Sequence, residues 1–412
     1  MKLTFLGDIM CKASMLSSYK NSDGGYDFSS IFENVIELLK KSSFVCGNLE
    51  TPISRDRNSY STELYSFCTP IEFASSVKKA GVDFVSTANN HCLDRGIDGL
   101  YETINCLDEI GIKHTGVFKN KNQIPLVIEV EGIKIGLMSY TYGTNAFSNH
   151  NYLKKTDYWR VNLFQNQEMS SWIERLSQKN QIVYRCYNKI LKILHHPNYA
   201  LPIYERRENR FNCRRRLIKQ IKEMKVNNPD IIVMSMHTGG QYNKVASKDT
   251  VSLTEFLLSK GINIIAGTHE HVVHGGTFER MSSKKIGTYS LGNFDGTAGV
   301  YDKPFDKMSE YSIAFHVYVS KRNEETIFDK TTFSILKTVK SSKNVGGVSV
   351  YPIYDLISNT TDEETKNQLI LDMYEIGKRF CGHNVSDQGV VEEFTIFDNN
   401  QASSKVVNIA SN

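Results

Sequence analysis

IIAGTHEHVVHGG, from Ile264 to Gly276, carries an apolar strand into a loop that opens with His269, Glu270 and His271. A histidine after a strand is usually an ordinary loop residue, so the pair is informative only if other strands end the same way. They do. KLTFLG delivers Asp8, SFVCGN delivers Glu50, VDFVSTA delivers Asn89, Asn90 and His91, DIIVMSM delivers His237, and GTYSLG delivers Asn293. The carboxyl ends of strands lying side by side form one rim, which is where ligands bind in open α/β sheets. Each residue taken alone has a plain explanation: a lone Gly-Asp is a turn or a cap, and a lone Asn-Asn-His says little. Together, carboxylate, amide and imidazole are the oxygen and nitrogen ligands that divalent transition metals prefer, which points to a metal site.

The chain around these motifs has the composition of a folded α/β protein. Its 412 residues are 40% hydrophobic and 23% charged, enough to bury a large core in one or two domains. The net charge of +4 is too small to announce nucleic acid or a membrane surface. The eight cysteines include no CxxC pair, so neither a disulfide framework nor a thiolate zinc site is expected. The N-terminus, MKLTFLGDIM, lacks the h-region of a signal peptide, and no stretch approaches the length of a membrane span. A cytoplasmic protein is expected.

Short apolar runs alternate with helical periodicity in IFENVIELLKK, IEFASSVKKAG and GIDGLYETINCLDEIG, as in a layered α/β domain. The reading places one domain over 1–340, with an inserted, mostly helical segment at about 145–228 rich in arginine (ERRENRF, CRRRLIK). An extension follows over 341–412, holding one helix near EETKNQLILDMYEIGKRF and a polar tail from Phe397. No GxSxG elbow, P-loop or post-strand GxGxxG occurs, which excludes those nucleophile and nucleotide motifs.

The ordered set GDIM, GNLETPI, YSF, STANNHCLDRG, HTG, MHTGGQY, GTHEHV and YSLGNF resembles the CapA family of poly-γ-glutamate capsule biosynthesis proteins, over roughly residues 1 to 300. The resemblance implies a calcineurin-like metallophosphoesterase fold, a four-layer α/β/β/α sandwich with its metal centre at the strand ends. It implies two divalent ions, Mn²⁺, Fe²⁺ or Zn²⁺. Asp8, Glu50 and His271 would hold one, Glu50, Asn90, His237 and His269 the other, with Glu50 bridging. An extended backbone at 269–271 would then offer one imidazole to each ion. His91, beside a ligand but not one itself, would be a general acid. Asp94 would orient it, or else cap the helix beginning near RGIDGLYETI. Asn89, Tyr242, Asn293, Arg214 and Arg215 are the expected substrate contacts; guanidinium groups suit phosphate and carboxylate.

The chain also departs from the family pattern. Met10 stands where calcineurin-like phosphatases carry a histidine, His237-Thr-Gly-Gly-Gln241-Tyr242 replaces HWGxEY, and in GxHPHV the proline is Glu270, with His274 where glutamine is common. The expected function is a metal-dependent phosphoesterase of capsule or surface-polymer synthesis. Its substrate would be an anionic phosphorylated small molecule or polymer, and association with polymer-synthesis proteins would fit; no nucleic acid is expected. The alternative is a non-catalytic accessory protein with a structural metal site.

Overall fold

A computed structural model of the chain describes residues 1–62, 66–167, 176, 179–195, 207–278, 284–295, 307–344 and 346–399. In chain order its strands are β1 (Lys2–Ile9), β2 (Phe44–Leu49), β3 (Ile53–Ser54), β4 (Thr69–Pro70), β5 (Phe84–Ser86), β6 (Lys113–Thr115), β7 (Leu126–Val130) and β8 (Ile133–Thr141). There follow β9 (Ile231–His237), β10 (Ile264–Thr268), β11 (Val273–Phe278), β12 (Ile286–Leu291), β13 (Tyr311–Arg322), β14 (Glu325–Lys340), β15 (Val348–Pro352) and β16 (Phe394–Asp398).

The runs that read as continuous apolar strands are buried along their whole length, because parallel strands in a layered fold are covered on both faces. They fall into two sheets and not one. The first has the order β15-β14-β13-β1-β2-β5-β6, with β16 also on β14; the second has the order β11-β12-β10-β9-β8-β7. Phe5, Leu3, Cys46, Phe84 and Phe315 of the first sheet meet Leu137, Val233, Ile264 and Ala266 of the second in a shared core. The outer face of the first sheet, including Leu6, Val45 and Val85, is covered by Phe32, Leu38, Phe73, Val77 and Leu107 of the N-terminal helices. The outer face of the second, including Met138, Met234 and Ile265, is covered by Leu217, Ile221, Met224, Leu257 and Leu258. The result is a four-layer α/β/β/α sandwich.

Residues 142–230 form the crossover between the parallel neighbours β8 and β9. The last helix of this arginine-rich stretch, Arg207–Val226, is therefore a layer of the sandwich, its buried Leu217, Ile221 and Met224 recurring at helical spacing. Past residue 340, β15 and β16 both pair with β14. The helix Glu363–Cys381 inserts Phe380 among Phe278, Phe315 and Phe333. The first residues of the expected polar tail, Phe397 and Asp398, thus lie in a sheet; those from 400 onward fall outside the described residues.

The two sheets are sewn together at one end. Asp8 forms a bridge with Asn293, donating its N–H to Gly292 O at 3.0 Å while Phe294 N–H donates to Asp8 O at 2.8 Å. Gly7 permits this approach, since a Cβ there would lie 1.9 Å from Gly292 O. The carboxyl ends of β1, β2 and β5 in one sheet thereby face those of β9 and β10 in the other.

Candidate metal centre

The rim at this junction gathers Asp8, Glu50, Asn90, His237, His269 and His271, every one of them buried. Asp8 accepts hydrogen bonds from Asn48 Nδ2 at 2.7 Å and His269 N at 3.0 Å, and its Oδ2 lies 3.5 Å from His271 Nδ1. Burial opposes its charge, but the contacts with His271, His237 and the His269 backbone prevail and hold the carboxyl well below the usual range. Glu50 is the reverse case. Its two oxygens are fully buried with no hydrogen-bond partner, and burial followed by the nearby Asp8 charge pushes the carboxyl well above its usual range. Around Glu50 Oε1 stand His237 Nε2 at 3.6 Å, His271 Nε2 at 3.9 Å and His91 Nε2 at 4.0 Å.

Two of the imidazoles, His237 and His269, are prepared as neutral donors. Burial lowers His237 to about 3, and burial together with His237 and His271 lowers His269 well below its ordinary value. Neutral imidazole is the metal-binding form. Asn293 Oδ1, 2.8 Å from His271 Nδ1, and Thr268 Oγ1, 3.0 Å from His237 Nδ1, orient two of the rings. His269 Nδ1 is buried without a partner. An orphaned carboxylate and an orphaned ring nitrogen, surrounded by imidazoles, are what a cation would satisfy, so the donor set fits a divalent metal. Two trios of donor atoms lie within 4.8 Å of one another: Glu50, His269 and His271, and Asp8, Glu50 and His237. Glu50 is common to both. The trios divide the histidines differently from the partition that the family resemblance implies.

The loop holding the histidine pair is not extended. His269 has φ 95° and His271 φ 58°, both in the left-handed region, which side chains seldom occupy and which functional sites often do. The turn, and not a strand's pleat, aims the two imidazoles. Behind them the two departures from the family pattern meet each other. Glu270 Oε2 lies 2.9 Å from His274 Nδ1, and His274 Nε2 lies 2.8 Å from Asn243 O, with both side chains buried. Tyr242 N–H donates to Glu270 O at 2.9 Å. This pair ties down the loop 238–243. Gly239 is required there: φ is 119°, and a Cβ would sit 2.1 Å from Glu270 Oε1.

A cavity of about 670 Å³ opens beside the cluster, lined among others by Asn90, His91, His269, Gln241, Arg210 and Lys248. His91 Nδ1 lies 2.7 Å from Asp94 Oδ2, and Phe67 stacks on the ring at 4.1 Å. Asp94 also accepts from Phe67 N at 2.7 Å and makes no cap bond to the helix Gly96–Ile110.

The expected substrate contacts fare differently. Asn89 is buried away from the cavity, bonding Leu49 O at 2.6 Å and His91 N at 3.1 Å, and Asn293 serves His271. Tyr242 packs on the His271 ring at 5.5 Å. Arg214 lies over Phe256 and Arg215 over Phe211, and neither lines the cavity. Arg210 does, one turn earlier, with Asp249 at 2.9 Å. A crossover helix begins at the carboxyl end of the sheet, so its first turn is the part that reaches the rim. That rule could have singled out Arg210.

Fold and site define a sandwich protein whose strand ends carry residue groups able to bind metal ions. The family model for the bacterial capsule synthesis protein PGA_cap matches residues 2–296, and the chain belongs to that family. It is similar to the capsule biosynthesis protein CapA of Bacillus anthracis, 23% identical over 338 residues, covering 81% of this chain and 67% of the relative. It is also similar to the PGA biosynthesis protein CapA of Bacillus subtilis, 23% identical over 335 residues, covering 81% and 71%. Among solved structures, the calcineurin-like phosphoesterase YfkN of Bacillus subtilis matches at 12% identity and a TM-score of 0.39, covering 91% of this chain and 97% of that one.

Proposed function

We propose that this chain is a metal-dependent phosphoesterase-type hydrolase acting on an anionic phosphorylated substrate in capsule or surface-polymer synthesis. The observation that carries the reading is the His91–Asp94 pair. A purely structural metal site has no use for an additional imidazole at its edge, held by a carboxylate and left open to a cavity. Asp94 accepts the Nδ1 proton and is itself fixed by Phe67 N, which leaves His91 Nε2 4.0 Å from Glu50 Oε1 in a residue that lines the cavity.

Asp8, Glu50, Asn90, His237, His269 and His271 would hold one or two divalent ions, Mn²⁺, Fe²⁺ or Zn²⁺. Such ions, when bound, supply Lewis acidity toward a phosphoryl oxygen and lower the pKa of water. The chain's own contribution is to place the phosphate between that cluster and His91. His91 Nε2 then delivers a proton to the leaving oxygen, while Asp94 keeps the ring in the tautomer and orientation the transfer needs. Lys248, beside the Arg210–Asp249 pair, adds positive charge to the cavity wall, where an anionic substrate would enter.

His91→Ala tests this. The variant is expected to keep its fold and metal content yet lose about 10²–10⁴-fold in kcat on an alkyl phosphate. The loss should be much smaller on p-nitrophenyl phosphate, whose leaving group needs little proton assistance. Equal losses on both esters would remove the acid role, and an undiminished His91→Ala would favour the accessory, non-catalytic reading.

A further inference from the structure

Within the β8–β9 crossover, the helix Gln181–Ile193 has two apolar faces where a surface helix needs one. Leu191 is buried, with Tyr184, Tyr187 and Asn188 partly covered, at positions that recur every three or four residues; this is the face seated on the protein. The neighbouring face carries Ile182, Val183, Cys186, Ile190 and Ile193, followed by the capping Leu194, and all are exposed, Ile182 by 75% and Ile193 by 68%. Scattered exposed apolar side chains are normal, but a contiguous stripe of branched aliphatic residues marks an interaction surface. Cys186 is also the exposed cysteine of a chain whose other seven are buried.

Charge identifies the occupant. Arg185, Lys189 and Lys192 lie along one edge of the stripe, Lys179 precedes the helix, and no acidic residue occurs between Glu174 and Glu205. A protein-facing helix on a mildly charged chain normally mixes signs; uniform positive charge beside an aliphatic stripe matches an anionic lipid surface. No helix among the described residues is long and apolar enough to cross a membrane.

We infer that the helix Gln181–Ile193 is a membrane-surface docking element, its Ile182/Cys186/Ile190/Ile193 stripe entering the headgroup boundary of an anionic bilayer with Arg185 and Lys189 on the lipid charges. The inference stands apart from the metal centre and would hold for a hydrolase or an accessory protein alike.

The test is cosedimentation of the full chain with vesicles of phosphatidylcholine alone and of phosphatidylcholine with one-third phosphatidylglycerol. Wild type is expected to bind the anionic vesicles and to be released by high salt. Ile190→Ser/Ile193→Ser should reduce partitioning at least about tenfold, and Arg185→Gln/Lys189→Gln roughly fivefold per charge removed. All four side chains are exposed, so the variants' melting points should match wild type and show that they fold. Absence of binding to anionic vesicles, or unchanged binding by Ile190→Ser/Ile193→Ser, would overturn the inference. So would a dimer in analytical ultracentrifugation that the same double substitution dissolves, because the stripe would then belong to a second copy.

Discussion

Replacing Glu50 by leucine should make the metal-free protein more stable and the metal-loaded protein less so. Glu50 is 0% exposed, neither oxygen has a hydrogen-bond partner, and the Asp8 charge lies nearby. Leucine of similar size removes those orphaned atoms and deprives no neighbour of a bond: His237 Nε2 keeps Asn90 Oδ1 at 2.7 Å, and His271 Nε2 keeps Gln241 at 3.3 Å. An unsatisfied buried polar group costs about 1–3 kcal/mol, and leucine removes that cost. In a chain of 412 residues this corresponds to a rise in Tm of roughly 1–3 °C. Wild type at a thousandfold excess of Mn²⁺ over its Kd should gain about 4.1 kcal/mol; the variant, lacking the residue common to both donor trios, should gain little. Calorimetry of both proteins, first in chelator and then with Mn²⁺, therefore expects the order of melting to invert. A variant that melts below wild type in chelator, or one that gains as much from Mn²⁺, would refute the assignment of Glu50 as a ligand, whatever the activity.

Two further substitutions probe the frame around the site. Gly239→Ala places a methyl against Glu270 at a backbone angle that alanine resists, so about 1–3 kcal/mol of stability should be lost. KM should rise while metal content is retained; an unchanged KM would show that the loop does not shape the cavity. Far from the centre, burial opposes the Glu393 charge, but His316, Lys2 at 2.7 Å, Thr332 and Tyr318 hold its pKa at about 2 against 4.5 unperturbed. A depressed carboxylate stabilises the fold above its unfolded pKa and loses that contribution as pH falls through 4.5 toward 2. Glu393→Gln should then cost about 1–3 kcal/mol at pH 7, with the difference vanishing near pH 2; a difference that persists in acid denaturation at that pH would exclude this linkage.

The family, the layered fold and the candidate metal residues were legible in the sequence, because each is written in short local segments. A strand buried on both faces must be an apolar run, and a polar residue that ends it must lie on the rim; Asp8, Glu50, His237 and His269 were found that way. Strands that lack such a run were missed. In β11, VHGGTF, glycines interrupt the pattern, and β14 alternates polar and apolar residues beside charges.

What tertiary structure decided is what depends on partners distant in the chain. Two sheets meet through Asp8 and Asn293, 285 residues apart by their numbering, and no local pattern encodes that meeting. The left-handed φ of His269 and His271 costs energy locally and persists because Asp8 and Asn293 hold the turn. Glu270 and His274 read separately as departures and together as a buried pair. Arg210, and neither Arg214 nor Arg215, lines the cavity because the direction of the crossover brings the first turn of its helix to the rim. Residue type and spacing thus determined which groups would reach the strand ends; packing of the two sheets determined which of them face one another.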